Sequence, residues 1–145
     1  MKNVANIQEF LDTLDNLPDI ICISETKIRN NSDVIFEDTI GFDQIQLQGY
    51  HPFVYNKTET HFGGTGIYVL DNFSFQDRKG LDINISGECE ASFIKLNLNS
   101  NFSKRSIIIC SMYRHPHENH DEFSDIFGET ISKIGKKLQL LLPGT

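Results

Sequence analysis

A carboxylate and a phenol each follow an apolar, strand-like run in this sequence. Glu25 comes directly after Ile20–Ser24, and Tyr113 ends a run whose apolar centre is Ile107–Cys110. Open α/β folds place their chemistry at the ends of buried strands. A carboxylate there could ligate Mg²⁺, which prefers one or two carboxylates together with water and phosphate oxygens. A tyrosine at such an end could hydrogen-bond the same phosphate, so the pattern is compatible with phosphate chemistry.

Each of these residues also has a simpler role open to it. A glutamate in a strand-end turn is commonly just solvated, and a tyrosine at a strand end commonly caps the core with its hydroxyl in water. Arg114, the neighbour of Tyr113, could bind a phosphate through two parallel hydrogen bonds. The residue types by themselves leave the catalytic and the structural interpretations open.

Two further clusters look like binding motifs but lack the required context. The segment 63–66, Gly-Gly-Thr-Gly, has no Gly-Lys-Ser/Thr ending and does not open a helix, so a hairpin loop is favoured over a phosphate-binding loop. Three histidines lie close together in a polar loop, without a second ligand cluster: His115, His117 and His120. That arrangement predicts adventitious metal affinity rather than a zinc site.

Charge and cysteine usage limit the class of protein. The 145 residues carry a net charge of −7, with a pI of about 5.1, which counts against avid non-specific DNA binding. It does not exclude a metal-dependent nuclease, because metal-binding carboxylates add negative charge. Cys22, Cys89 and Cys110 are odd in number and form no Cys-x-x-Cys pair, so we expect reduced core residues in a nuclear or cytoplasmic protein. The polar N-terminal helix does not have the character of a signal peptide, and we expect no membrane-spanning segment.

Hydrophobic periodicity predicts a mixed α/β domain without an internal boundary. Helices are expected over 3–16 and 123–134, and residues 26–48 are expected to be irregular. Strands are predicted at 20–24, 51–55, 65–70, 88–99 and 105–113, with a further strand beginning at 139–142. The link 56–64 suits a hairpin loop, and Ile107–Cys110 is continuous enough to be buried on both faces.

Four motifs occur in register with those of a known group of enzymes. Pro18–Lys27 resembles a "PDI-apolar-x-E-T" strand, and Tyr50–Leu70 resembles a "GY…GGG-apolar-Y" hairpin. Glu88–Leu96 followed by Ile107–Pro116 resembles an "E…apolar-x-I…apolar-Y-R-P-P" strand pair. Together they resemble the endonuclease domain of non-LTR (LINE-type) retrotransposons, within the endonuclease/exonuclease/phosphatase superfamily. The resemblance covers nearly all of the chain.

This resemblance implies a fold and a reaction. The fold is an α/β (α+β) domain, a partial four-layer α-β-β-α sandwich of mixed sheets. The reaction is Mg²⁺-dependent hydrolysis of DNA phosphodiesters, without a small-molecule cofactor. Glu25 matches the metal-binding glutamate and Tyr113 the tyrosine that contacts the scissile phosphate, while Arg114 is a further candidate for binding nucleic acid. Glu25 and Tyr113 are both expected on one rim of the fold, at the ends of two strands.

The chain also departs from the family pattern. The family's first strand, which ends in a catalytic asparagine, precedes the segment that matches here, and its Gly-Asp-x-Asn and Ser-Asp-His segments follow it. Residues 1–145 are therefore expected to be a partial domain, to bind Mg²⁺ weakly or not at all, and to be inactive when isolated. Two alternatives stay open: a non-catalytic remnant or interaction module of the same fold, and a phosphatase or phosphodiesterase of the same superfamily. The Tyr-Arg-x-Pro ending favours the retrotransposon branch over the latter.

A first prediction concerns self-association. In the family another strand pairs beside the one matched by Ile20–Ile23, so we expect an apolar strand edge there, and Ile107–Cys110 is a second strand of the same type. Unpaired apolar edges template association. The purified 145-residue chain should therefore be poorly soluble, associated or partly disordered. A monomeric elution profile together with a sharp cooperative melt would contradict this.

Overall fold

Two helices and seven strands lie within the residues that the structure describes. The computed structural model describes residues 4–28, 45–57, 63–85, 88–116 and 120–141, with the backbone alone at 120–122 and 135–141. In chain order the elements are α1 (Val4–Leu11), β1 (Ile20–Ser24), β2 (Val54–Tyr55), β3 (Thr65–Val69), β4 (Ser74–Asp77), a short 3₁₀ helix (Lys79–Leu81), β5 (Ile83–Ile85), β6 (Cys89–Asn97), β7 (Ser106–Arg114) and α2 (His120–Leu141).

The strands form two sheets, each built around one buried strand. In the first sheet β3 lies between β1 and β2, and all five of its residues are buried. In the second sheet β6 pairs with β7 along one edge and with β4 and β5 in succession along the other. Every pairing between described strands is antiparallel, whereas mixed sheets were expected. The connections from β2 to β3, β5 to β6 and β6 to β7 are short, and short connections can join antiparallel strands but not parallel ones.

Three apolar clusters hold the layers together. The first packs α1 against the outer face of the first sheet, around Tyr68. The second lies between the sheets, where Ile67 and Val69 of β3 meet Ile94 and Leu96 of β6. The third packs Phe123 and other residues of α2 against the outer face of the second sheet. Over its described ranges, the molecule is thus a mixed α/β protein with two antiparallel sheets and two helices.

A buried polar network fixes the register between the two sheets. Asn56, directly after β2, accepts hydrogen bonds through Oδ1 from the amide and the hydroxyl of Thr65, both at 2.9 Å. Its Nδ2 donates across the interface to the carbonyls of Ile83 (3.4 Å) and Ala91 (3.3 Å). The Thr65 hydroxyl also lies 2.8 Å from that of Ser92 on β6. Since buried polar groups are costly unless they are paired, the network favours one alignment of the sheets.

The structure corrects several sequence-based expectations. Strands β4 and β5, of four and three residues, were not predicted. The strand predicted at 139–142 is wrong, because α2 continues to Leu141, in keeping with the helical stripe that precedes it. Ile107 is 45% exposed rather than buried on both faces, since β7 pairs with β6 alone among the described strands. Helix α1 ends at Leu11, earlier than predicted.

The described helices also bear on membrane insertion. Helix α2 has 22 residues, but its charged and polar side chains are spread along its length. Within the described ranges, no helix is both long and apolar enough to cross a membrane.

Replacing Asn56 with alanine should destabilise the protein by about 2–4 kcal/mol, because it leaves a buried amide and two buried carbonyls without their partner. Urea unfolding followed by circular dichroism measures this. Asn84→Ala is the matched control: Asn84 donates one exposed hydrogen bond to the Lys57 carbonyl at 3.0 Å, so its loss should cost less than about 1 kcal/mol. Equal losses for the two variants would contradict the role assigned to the network.

Candidate functional site

Glu25 and Tyr113 meet at one rim of the molecule, where β1 and β7 end. The two side chains lie close together, and the Glu25 carboxylate raises the pKa of the Tyr113 phenol. Glu25 is exposed and Tyr113 is half-buried. The expected placement of these two residues on one rim is confirmed, while their catalytic roles stay a prediction.

One hydrogen bond between the sheets explains why these rims coincide. The Ser111 hydroxyl on β7 donates to the carbonyl of Ile23 on β1 at 2.9 Å. Glu25 lies two residues beyond Ile23, and Tyr113 lies two residues beyond Ser111. Because side chains alternate along extended backbone, Tyr113 shares its face of β7 with Ser111. The ends of β1 and β7 therefore stay side by side from the Ser111–Ile23 hydrogen bond to the contact between Glu25 and Tyr113.

The backbone at Glu25 is held in an unusual conformation. Its φ is +58°, in the left-handed region that L-residues rarely adopt, and Lys27 has the same value. Two backbone hydrogen bonds fix this turn. The Thr26 amide donates to the Gly64 carbonyl at 3.2 Å, and the Lys27 amide donates to the Gly63 carbonyl at 2.9 Å. Left-handed non-glycine residues cluster at functional sites, where the surroundings impose them.

Behind Tyr113 lies a buried carboxylate. Glu90 on β6 is directly opposite Tyr113 in the sheet and is 0% exposed. The Nε2 atom of His115 is 3.3 Å from each of its two oxygens. The His115 ring in turn contacts Tyr113 edge-on, with centroids 4.9 Å apart and planes at 77°. Glu90, His115 and Tyr113 thus form one continuous set of contacts under the rim.

The surroundings of Tyr113 change its acidity. Burial raises the pKa of Tyr113 above 10.0, and the neighbouring Glu25 carboxylate and the charge of Glu90 raise it further. The phenol is therefore protonated at neutral pH and acts as a hydrogen-bond donor.

Arg114 is not brought together with Glu25 and Tyr113. It is opposite Cys89 in the sheet, and Cys89 belongs to the cluster that faces α2. Its guanidinium carbon lies 5.5 Å from the ring centroid of Phe123, on the face opposite to Tyr113. The predicted contact between Arg114 and nucleic acid stays a prediction that this placement does not favour.

The other candidates from the sequence are the histidines and the cysteines. Of the three histidines, His117 and the side chain of His120 lie outside the described residues, and His115 contacts Tyr113 and Glu90. Cys89 is buried as expected, whereas Cys22 is exposed, which corrects its assignment to the core. Burial raises the pKa of the Cys110 thiol to about 12, which makes it a poor nucleophile.

The rim offers a metal ion one carboxylate. Glu25 is accessible and lies beside a phenol donor, which fits one ligand position of Mg²⁺, an ion that keeps several waters and binds phosphate oxygens. Within the described part of the chain, no group of three or more His, Cys, Asp or Glu side chains is placed to hold a metal. Any binding by these residues should accordingly be weak.

A separate groove of about 680 Å³ lies between β2 and the β4–β5 edge of the second sheet. Its lining includes three aromatic residues, Phe53, Tyr55 and Phe75, and two lysines, Lys57 and Lys79. Lys79 donates to the Tyr55 carbonyl at 3.5 Å, so part of the polar edge of β2 is already occupied.

Sequence reasoning missed Glu90 and its contact with His115. A signal was present in the sequence. Glu90 lies an even number of positions from Ser92, Ile94 and Leu96, so its side chain is on the same face of β6 as theirs, the face that packs against the first sheet. A charged residue at an inward-facing position of a buried strand is unusual enough to mark a candidate site.

Comparison with known proteins identifies no family: no protein-family model matches the chain, and no curated protein matches it significantly.

Replacing Glu25 with glutamine should lower the pKa of Tyr113, because the charge of the carboxylate is removed. The pKa should nevertheless stay above 10.0, since burial is the larger cause of the shift. The tyrosinate absorbance, titrated with pH and corrected by subtracting the Tyr113→Phe variant, measures it. Asp19→Asn is the matched control, since Asp19 raises the pKa of Tyr50 instead. An unchanged Tyr113 pKa in Glu25→Gln would contradict the contact.

Proposed function

We propose that this chain is part of a Mg²⁺-dependent DNA endonuclease of the non-LTR retrotransposon type. In this proposal Glu25 ligates the metal ion and Tyr113 contacts the scissile phosphate. The observation that carries it is the proximity of Glu25 and Tyr113, two residues 88 positions apart whose motifs match catalytic positions of that family.

The arrangement of layers supports the proposal. The apolar clusters place α1 outside one sheet, α2 outside the other, and the two sheets face to face between them. A four-layer sandwich of this order is what the resemblance implies. The order of the motifs along the chain agrees with it as well, since β1, the β2–β3 hairpin and the β6–β7 pair carry the matched segments.

The chain's own residues have defined parts in such a site. The Glu25 carboxylate would occupy one position around the metal ion, and its exposure leaves it accessible to a substrate phosphate. The protonated Tyr113 phenol would donate a hydrogen bond to a phosphate oxygen, a contact that strengthens when the acceptor is charged. When bound, Mg²⁺ offsets the charge that builds up on the phosphate.

These residues do not amount to a complete catalytic site. One carboxylate, that of Glu25, would hold the metal ion loosely, and neither Glu25 as a metal ligand nor the protonated Tyr113 is suited to be the base for an attacking water. General acid–base assistance is worth roughly a hundredfold to ten-thousandfold in rate. We therefore propose that the 145 residues contribute part of the catalytic machinery and do not cleave DNA at a measurable rate by themselves.

Two measurements on the purified chain test this proposal. The rate of plasmid nicking by the unsubstituted chain in Mg²⁺ should not exceed the rate measured for Glu25→Gln. A nicking activity that is present in the unsubstituted chain and absent from Glu25→Gln would contradict the proposed inactivity. In NMR spectra, Mg²⁺ at millimolar concentration should shift the amide signals of Glu25–Lys27, and DNA should then shift the ring signals of Tyr113. Both effects should be lost in Glu25→Gln and kept in Asp19→Asn.

Signals at Glu25–Lys27 that do not respond to Mg²⁺ would contradict the metal site. If, in addition, DNA leaves Tyr113 unaffected, the endonuclease proposal fails and the non-catalytic interpretation of the same fold takes its place.

A further inference from the structure

Glu90 is the most buried carboxylate at the rim, and its burial requires an explanation. Its side chain is 0% exposed, although carboxylates are almost never fully buried unless paired. It lies in a largely buried strand that packs between the first sheet and α2. Desolvating such a group is costly, so its neighbours must supply compensating contacts.

His115 supplies one of these contacts and transmits it to Tyr113. Its Nε2 lies 3.3 Å from both Glu90 oxygens, and because a carboxylate accepts, the contact selects the form of the ring that carries a proton on Nε2. The His115 amide donates to the Glu88 carbonyl at 2.8 Å, which fixes the backbone at the end of β7. The side chain of His115 is thus held at its Nε2 atom by Glu90 and at its base by the fixed backbone, and its ring packs edge-on against Tyr113.

Gly63 shows how closely the loop between β2 and β3 approaches the same carboxylate. Its φ is +88°, and a Cβ built on it would lie 2.8 and 2.9 Å from the two Glu90 oxygens. No side chain larger than hydrogen fits there without displacing the carboxylate. The Gly63 carbonyl also accepts from the Lys27 amide, so Glu90 lies directly beneath the loop that holds the Glu25 turn.

We infer that Glu90 and His115 form a buried positioning pair that holds the Tyr113 phenol and the Gly63 loop in register at the rim. Glu90 orients the His115 ring, and the ring sets the orientation of Tyr113 toward Glu25. This inference rests on the proposed function for what Tyr113 contacts, namely a DNA phosphodiester. It adds two positioning residues that touch neither the substrate nor the metal ion.

The test separates the orientation of Tyr113 from the binding of DNA. Ring signals of ¹³C-labelled tyrosine are recorded for the chain and for Glu90→Gln and His115→Gln, with Tyr113→Phe providing the assignment. Glutamine at 90 keeps the size of the side chain and removes its charge, and glutamine at 115 keeps a donor and removes the ring. In both variants the Tyr113 signals should shift or broaden, while those of the other three tyrosines stay in place: Tyr50, Tyr55 and Tyr68.

His51→Gln is the matched control. His51 is also half-buried, its Nε2 lies 2.7 Å from the Phe73 carbonyl, and its ring packs edge-on against an aromatic ring, that of Phe75. It lines the separate groove rather than the rim, so its replacement should leave the Tyr113 signals unchanged. If Glu90→Gln does not fold, His115→Gln carries the test, because His115 lies nearer the surface.

Binding of a short labelled DNA duplex in Mg²⁺ at low salt gives the second measurement. Glu90→Gln and His115→Gln should each weaken binding about tenfold, the scale of one charge-assisted hydrogen bond, and neither should weaken it further in a Tyr113→Phe background.

Unchanged Tyr113 signals in both variants would overturn the inference. It would also be overturned if Glu90→Gln and His115→Gln each weakened DNA binding by the same factor in the Tyr113→Phe background as in the unsubstituted chain. A chain that binds no DNA while its Tyr113 signals respond to both variants would refute the proposed endonuclease function and leave the positioning of Tyr113 established.

Discussion

The hydrogen bond from the Ser111 hydroxyl to the Ile23 carbonyl is the contact on which the candidate site depends. It joins β7 of one sheet to β1 of the other. In sequence, the bond lies two residues before Glu25 on the β1 side and two residues before Tyr113 on the β7 side. The apolar contacts between Ile67 and Val69 of β3 and Ile94 and Leu96 of β6 hold the sheets together, but apolar packing is not directional. The Ser111 hydroxyl aligns β7 with β1 near the rim, a direction that the apolar contacts leave open.

The polar groups between the sheets have two different roles. Asn56, Thr65 and Ser92 satisfy one another and the carbonyls of the second sheet, and this network specifies how the sheets align. Glu90, by contrast, is a buried charge whose described contacts lead toward His115 and Tyr113 at the rim. Networks of the first kind are common devices of fold specificity, whereas a charge buried next to an exposed carboxylate and a phenol is typical of a site.

Glycine allows these parts to approach one another. Gly63 and Gly64 have φ values of +88° and +86°, and their carbonyls accept from Lys27 and Thr26. The sequence-based interpretation of 63–66 as part of a hairpin rather than a phosphate loop agrees with the β2–β3 pairing, although Thr65 and Gly66 already belong to β3. What that interpretation did not contain is the function of the loop, which is to hold the turn at Glu25 above the buried carboxylate.

The sequence by itself determined the elements whose hydrophobic pattern is long and regular. Strands at 20–24, 65–70, 88–99 and 105–113 and the helical stripe from 123 were predicted from periodicity, because side chains that face a core repeat with the period of the backbone. It also indicated Glu25 and Tyr113, since each ends an apolar run. Short β4 and β5 escaped prediction, because three or four residues carry too little periodicity. The tertiary structure alone decided that Tyr113 faces Glu25 while Arg114 lies over Phe123, and that Glu90 meets His115. These contacts depend on how two sheets pack face to face, which the local pattern of either strand does not encode.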